Sequence, residues 1–294
     1  ARAPGKREVA MGEYRAPLRD MRFVLEELAG LEAIAALPGC EEATPDVVEA
    51  ILAEAAKFAE TVLAPLNASG DREGARFEAG AVRLPQGFAE AYRRFVEGGW
   101  SALSGPPEYG GQGLPRVVAA AVGEMWKSAN HAFSLCPLLT TGAVEALVLA
   151  GSDELKAIYL EPLVSGRWTG TMNLTEPQAG SDLAAVRTRA EPQADGRYRL
   201  YGQKSFITYG EHDLAENIVH LVLARTPGAP EGVKGISLFL VPKFIPNADG
   251  SLGARNDAHC IALEHKLGIH ASPTATMAFG EREGALGFLV GEAQ

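Results

Sequence analysis

From about residue 17 to 165 the apolar positions of the chain recur at helical steps. The clearest stripe runs from Asp46 to Leu66, where Val48, Ile51, Leu52, Ala55, Phe58, Ala59 and Val62 fall three or four apart and share one face. Thr44 and Pro45 mark its start: a hydroxyl that accepts from the first free amides, then a proline whose missing N–H costs nothing in the first turn. Similar periodicity predicts helices at about 18–29, 85–97, 115–129, 139–150 and 153–160, the last capped by Ser152.

Beyond Trp168 the texture changes to short runs of alternating or β-branched residues between Gly, Pro and Asp. These predict strands at Trp168–Leu174, Tyr198–Thr208 (bent at Gly202), Ile218–Ala224, Ile236–Val241, Cys260–Leu263 and Thr274–Phe279. No helical stretch alternates with them, so the pattern favours an antiparallel sheet or barrel over βαβ units. The expected fold class is therefore α+β: an all-α domain over 14–166, then a small antiparallel β domain over 167–294. The basic, core-less stretch 1–13 reads as an extension or a vector-derived scar, not a secretory signal.

Composition narrows the function. Of 294 residues, 47% are hydrophobic and 22% charged, as in a packed globular protein. A formal net charge of −10 argues against nucleic-acid or anionic-lipid partners. No uninterrupted apolar run reaches the roughly 18 residues that span a bilayer. Cys40, Cys136 and Cys260 lie far apart, with no CxxC, which fits a reduced, cytoplasmic setting. His265 and His270 belong to no HExxH or Cys/His cluster, so no metal site is expected.

The candidate chemistry is sparse. Gly110-Gly111-Gln112-Gly113 matches neither dinucleotide nor P-loop spacing and reads as a structural turn before the helix opened by Pro115. No GxSxG elbow is present. Glu176, ahead of Pro177, and Asp182, ahead of Leu183–Val186, read as turn and capping residues more readily than as an acid/base pair. What stands out is TMNLTEPQAGSD at 171–182, echoed by Lys204-Ser205-Phe206-Ile207-Thr208 and closed by Tyr209-Gly210. Each is a strand ending in a threonine. Together they offer backbone amides, hydroxyls and an aromatic ring to a flat, polar-edged ligand, with Gly180 and Ser181 open to a phosphate or pantetheine group. Two ordinary turns are the alternative.

These segments resemble the acyl-CoA dehydrogenases. Thr175–Asp182 matches the family's T-E-P-x-A-G-S-D, and Gly202–Thr208 matches G-x-K-x-(Trp/Phe)-I-T. Glu108–Gly113, the stretch from Gly151-Ser152-Asp153 to Gly166, and Lys266-Leu267-Gly268-Ile269 are similar to family segments in the same order. The start, Tyr14–Met21, resembles a bacterial branch that includes enzymes for methylthiopropanoyl-CoA and for longer acyl chains. The resemblance implies FAD as cofactor, held by Met172, Leu174, Thr175, Gly180, Ser181, Phe206, Ile207 and Thr208, with Ser181 also meeting the acyl-CoA substrate. In that scheme Leu174 and Thr175 meet the pyrimidine edge, Ser181 the pyrophosphate, and Thr208 the reactive N5. Phe206 keeps the aromatic wall of the family's usual Trp but lacks its N–H.

The implied reaction is α,β-dehydrogenation of a saturated acyl-CoA, with electrons passed to an electron-transfer flavoprotein by a homo-oligomer. An acyl-CoA oxidase, a non-catalytic flavin or acyl-CoA scaffold and, last, the DNA-alkylation-response branch are the alternatives. Most members carry a C-terminal helical bundle with the catalytic Glu and much of the oligomer interface. Here no catalytic residue is assigned, and a chain without that bundle is expected to expose an apolar face on its helical half and to hold flavin weakly.

Overall fold

The computed structural model describes residues 14–247 and 249–294, so the expected extension over 1–13 lies outside the described residues. Eight α-helices come first: α1 (Leu18–Phe23), α2 (Leu31–Ala35), α3 (Pro45–Phe58), α4 (Ala64–Glu73), α5 (Phe88–Glu97), α6 (Arg116–Ala129), α7 (His131–Ala150) and α8 (Asp153–Ser165). Thr44 Oγ1 accepts from the Val47 amide at 3.4 Å and Ser152 Oγ from that of Leu155 at 3.3 Å, the capping the sequence predicts. The Asp46–Leu66 stripe extends to Glu73, because a π-turn at Ala59–Leu63 fuses α3 to α4. A widened turn just ahead of Pro65 accommodates a ring and a missing N–H that a regular helix does not.

Helix α7 starts well before the predicted 139, with Asn130 Oδ1 accepting from the Phe133 amide at 3.1 Å. Its 20 residues contain an 18-residue window of mean hydropathy 1.7, long and apolar enough to cross a membrane, contrary to the count of uninterrupted runs. That count stops at each Thr or Glu, whereas a window average tolerates them. Here α7 packs against β3 (Trp168–Asn173), α6 and α8. The helical core is aromatic, with Phe58 edge-on to Trp126 at 5.4 Å and Phe95 edge-on to Phe133 at 5.8 Å. On the outside Leu138, Val148 and Leu149 of α7 and Ile158 of α8 stay exposed, Leu149 at 87%.

A short hairpin, β1 (Arg76–Glu78) with β2 (Ala81–Arg83), interrupts the helices. After β3 come β4 (Arg189–Pro192), β5 (Tyr198–Thr208), β6 (Asn217–Ala224), β7 (Ser237–Pro242), β8 (Phe244–Pro246), β9 (Leu252–Arg255), β10 (Ala258–Leu263), β11 (Thr274–Phe279) and β12 (Ala285–Val290). The main sheet has eight strands in the order β10-β11-β5-β12-β7-β6-β3, with β4 also on β5; the small pair β8–β9 stands apart. Every ladder in it is antiparallel except β3 with β6, so the antiparallel expectation needs one parallel edge. Strand β12 escapes the sequence reading because glycines dilute its pattern. At Gly287 a Cβ would lie 2.5 Å from Leu200 Cδ1, so a side chain there would have to displace that leucine.

The two halves meet through α7 and β3. Gly170 lets strand and helix touch, for its Cβ would fall 2.4 Å from Ala143 Cβ, and its amide donates to Thr140 Oγ1 at 3.1 Å. Tyr209 Oη donates to the Ala132 carbonyl at 2.7 Å and Tyr92 Oη to that of Gly166 at 2.9 Å. The ends of β3 and β5 are thereby fixed against the helices.

Candidate functional site

The structure brings the two echoing segments side by side. The Ser205 amide donates to the Thr175 carbonyl at 2.8 Å, joining the exit of β3 to the far half of β5. That half carries a bulge: Ala275 pairs with Ile207 but Met277 with Lys204, so Ser205 and Phe206 share one opposing residue. Phe206 takes a φ of 61°, a conformation that is costly for a non-glycine residue. The bulge turns its ring outward to 61% exposure while its neighbours stay inside.

On the same two joined strand ends Met172, Leu174, Thr175 and Thr208 are all half-buried. Neither threonine hydroxyl has a hydrogen-bond partner among the described residues. Gly180 and Ser181 are exposed, and a Cβ on Gly180 would meet no atom within 4 Å. Ile207 differs from the other candidates, for its side chain is buried in the β core. An exposed aromatic face, two free hydroxyls and an open small-residue backbone fit a planar heterocycle with a phosphate tail.

The turn roles expected of the two acids are present. Asp182 Oδ1 accepts from the Ala184 amide at 3.0 Å, and Glu176 and Ala179 exchange backbone hydrogen bonds at 3.0 and 2.9 Å around Pro177. The Glu176 side chain does more. Its carboxylate, 4% exposed, accepts from the amides of Arg187 (2.8 Å) and Thr188 (2.9 Å), from Thr188 Oγ1 and Gln178 Nε2 (both 2.5 Å), and from Lys204 Nζ (2.9 Å). Burial alone would raise this carboxyl; hydrogen bonds from Lys204, Thr188 and the Arg187 amide overrule it and hold it at about 2. Lys204, wholly buried, also donates to the Leu174 carbonyl at 3.0 Å. Sequence reasoning passed over this hub. Its signal was a lysine on a predicted strand two residues before the outward aromatic, with a Glu on the partner segment.

Behind β3 the interior is polar. Asn173 Nδ2 donates to Thr171 Oγ1 at 2.8 Å, so the Thr171 hydroxyl is left to donate to His220 Nδ1, also at 2.8 Å. Burial pushes His220 down to about 3, so it is neutral at physiological pH. The Gly110–Gly113 run is a structural turn: a Cβ on Gly111 would lie 2.0 Å from the Gly105 carbonyl oxygen, and its amide donates to Pro106. Among the described residues no cluster of His, Cys, Asp or Glu could hold a metal ion.

Comparison with known proteins gives a consistent answer. The family model for the acyl-CoA dehydrogenase N-terminal domain matches residues 45–167, and that for the middle domain matches 171–281. The chain is 55% identical over 279 residues to the 3-methylmercaptopropionyl-CoA dehydrogenase of Ruegeria pomeroyi, covering 95% of this chain and 47% of that protein. It is 38% identical over 287 residues to the broad-specificity linear acyl-CoA dehydrogenase FadE5 of Mycobacterium tuberculosis, covering 96% and 47%. An acyl-CoA dehydrogenase from Bacillus anthracis complexed with FAD shares the fold with a TM-score of 0.67 at 26% identity, over 86% of this chain and 39% of that one. Butyryl-CoA dehydrogenase from Megasphaera elsdenii aligns with a TM-score of 0.66 over 84% of this chain and 59% of that one. The chain spans about half the length of the sequence relatives it matches. Its helical half, its mixed sheet and both family models place it in the acyl-CoA dehydrogenase family.

Proposed function

We propose that this chain supplies the flavin-binding portion of an enzyme that dehydrogenates a saturated acyl-CoA between its α and β carbons. The observation that carries this reading is the joined pair of strand ends, with Phe206 turned out by a strained bulge beside the half-buried threonines. FAD, when bound, supplies the acceptor for the hydride that leaves the β carbon. The backbone around Leu174 and Thr175 would hold the polar edge of its ring and Phe206 the ring's flank. Ser181 and Gly180, open to solvent, would meet the pyrophosphate, and Ser181 the acyl-CoA. Thr208 presents a free hydroxyl beside the same surface.

Glu176 is no base. Its oxygens already accept five hydrogen bonds, and it is ionised at every working pH. No residue of this chain is assigned as acceptor of the α-proton. The reading includes units over 14–166 and 167–294, a homo-oligomer of the whole enzyme, an electron-transfer flavoprotein as electron acceptor and a cytoplasmic setting. The last agrees with three free cysteines.

The test is an anaerobic visible spectrum of the chain loaded with FAD and titrated with butyryl-CoA, 3-methylmercaptopropionyl-CoA and longer acyl-CoAs. The expected result is a shift of the flavin band by an acyl-CoA without bleaching. Bleaching would place a working base within these residues, and peroxide formation under air would favour an oxidase. A flavin band indifferent to every acyl-CoA would overturn the proposal.

A further inference from the structure

We infer that Lys204 and Glu176 form an internal clamp that positions the 174–182 segment for the flavin; this rests on the flavin-site reading given above. The clamp joins four pieces of chain through two side chains. Lys204 Nζ comes from β5 and donates to the Leu174 carbonyl at the exit of β3 and to Glu176 Oε1. Glu176 in turn holds the Arg187 and Thr188 amides that lead into β4. Residues 174–188 form no strand, and their other ties lie at the two ends: the Ser205 amide on the Thr175 carbonyl, and, just beyond β6, Arg225 on the carbonyls of Ala184, Val186 and Thr188.

The geometry divides the segment into an anchored side and a presented side. Glu176 and Ala179 are buried, whereas Pro177, Gln178, Gly180 and Ser181 are exposed. The turn is suspended from its carboxylate, so the position of the Gly180–Ser181 backbone follows from where Lys204 and Thr188 hold that carboxylate. Both charges are enclosed and mutually neutralised, which suits a support and excludes proton exchange with substrate. Lys204 also lies two residues before the strained Phe206, so the same β5 bulge fixes the clamp and the exposed ring. These are positioning residues: they reach the ligand through the backbone they hold.

The test uses Lys204→Met, which keeps the apolar stem and leaves Glu176 four donors. Thr188→Val, which removes only the hydroxyl at 2.5 Å, serves as a second variant should the first fail to fold. Amide hydrogen exchange on the flavin-free chain should show residues 174–188 opening at least tenfold faster, with β6, β7 and β12 unchanged. The dissociation constant for FAD, measured at a temperature where each variant is fully folded, should rise at least tenfold. The Thr188→Val changes should be smaller and have the same pattern. A Val48→Ala variant, which loosens the helical core far from the segment, should lower the melting temperature and leave both readouts alone. Exchange in 174–188 that matches wild type, or loosening spread evenly over the sheet, would overturn the clamp. So would unchanged FAD affinity in a variant whose segment has loosened. A wild-type chain that binds no FAD at all would instead refute the function proposed above, and the exchange data would still decide whether the clamp exists.

Discussion

Replacing Gly170 by Ala puts the contact between the two halves of the molecule to a test of sign. Glycine in mid-strand is normally a liability, and Gly→Ala without strain stabilises by about 0.4–1 kcal/mol through the unfolded chain. At Gly170 the new methyl would sit 2.4 Å from Ala143 Cβ, against an ordinary carbon–carbon contact of about 3.5–4.0 Å. Strand and helix would have to separate by roughly 1 Å in a region where every residue of β3 but Met172 is buried. Overpacking of this kind costs about 1–3 kcal/mol, so the expected net change is a destabilisation of about 1–2 kcal/mol. Ala143→Gly alone should cost about 1 kcal/mol from helix propensity. The double variant should cost little more than Ala143→Gly, giving a coupling energy of about 1–2 kcal/mol. Urea unfolding followed by both tryptophan fluorescence and far-UV circular dichroism measures this, provided the two transitions coincide. A stabilised Gly170→Ala, or strictly additive costs, would refute the close-contact account.

Three further outcomes follow from the charged and thiol groups. Because Glu176 is held at about 2 against an ordinary 4.5, its stabilisation is complete above about pH 4.5 and is lost as pH falls toward 2; Glu176→Gln should flatten that acid limb in denaturation midpoints against pH. His270 faces acceptors on both ring nitrogens, the Lys266 carbonyl at 2.8 Å from Nε2 and Asp71 Oδ1 at 3.0 Å from Nδ1, and these raise its pKa. Its contribution is therefore full below the unfolded value of about 6.5 and lost as pH rises through the folded one, and an NMR titration should show Asp71→Asn moving the His270 midpoint downward. Burial raises the Cys136 thiol strongly and that of Cys260 to about 11, so half-buried Cys40 should react first with a thiol reagent at pH 8, and Cys40→Ser should leave the folded chain nearly inert.

Much of this architecture was legible because local chemistry and tertiary packing agree. The stripe from Val48 to Val62 is buried as its spacing requires, apart from half-buried Ile51, and Thr44 and Ser152 cap where a hydroxyl precedes a helical run. Strands of alternating or β-branched composition, such as Asn217–Ala224, were found within a residue or two. What stayed hidden depends on partners distant in sequence. Strand β12 relies on glycines chosen for close approach to β5, and β4 is a short polar edge whose partner supplies its order. The parallel β3–β6 pairing leaves no mark in either strand's composition. At the site, the two threonine-ended segments could be matched as echoes, but their contact through Ser205 and Thr175 could not. Nor could the positive φ of Phe206, which follows from a register shift against β11. Ile207 is the reverse case, a residue named by motif whose burial within the β core no motif could show.

The most direct test of the account is an equilibrium titration of the purified chain with FAD, followed by quenching of flavin fluorescence and by the visible spectrum after removal of free ligand. The account predicts saturable one-to-one binding with a structured, shifted flavin band, weakened at least tenfold when Phe206 is replaced by Ala. Binding that never saturates up to millimolar FAD, or an affinity indifferent to the loss of Phe206, would contradict it.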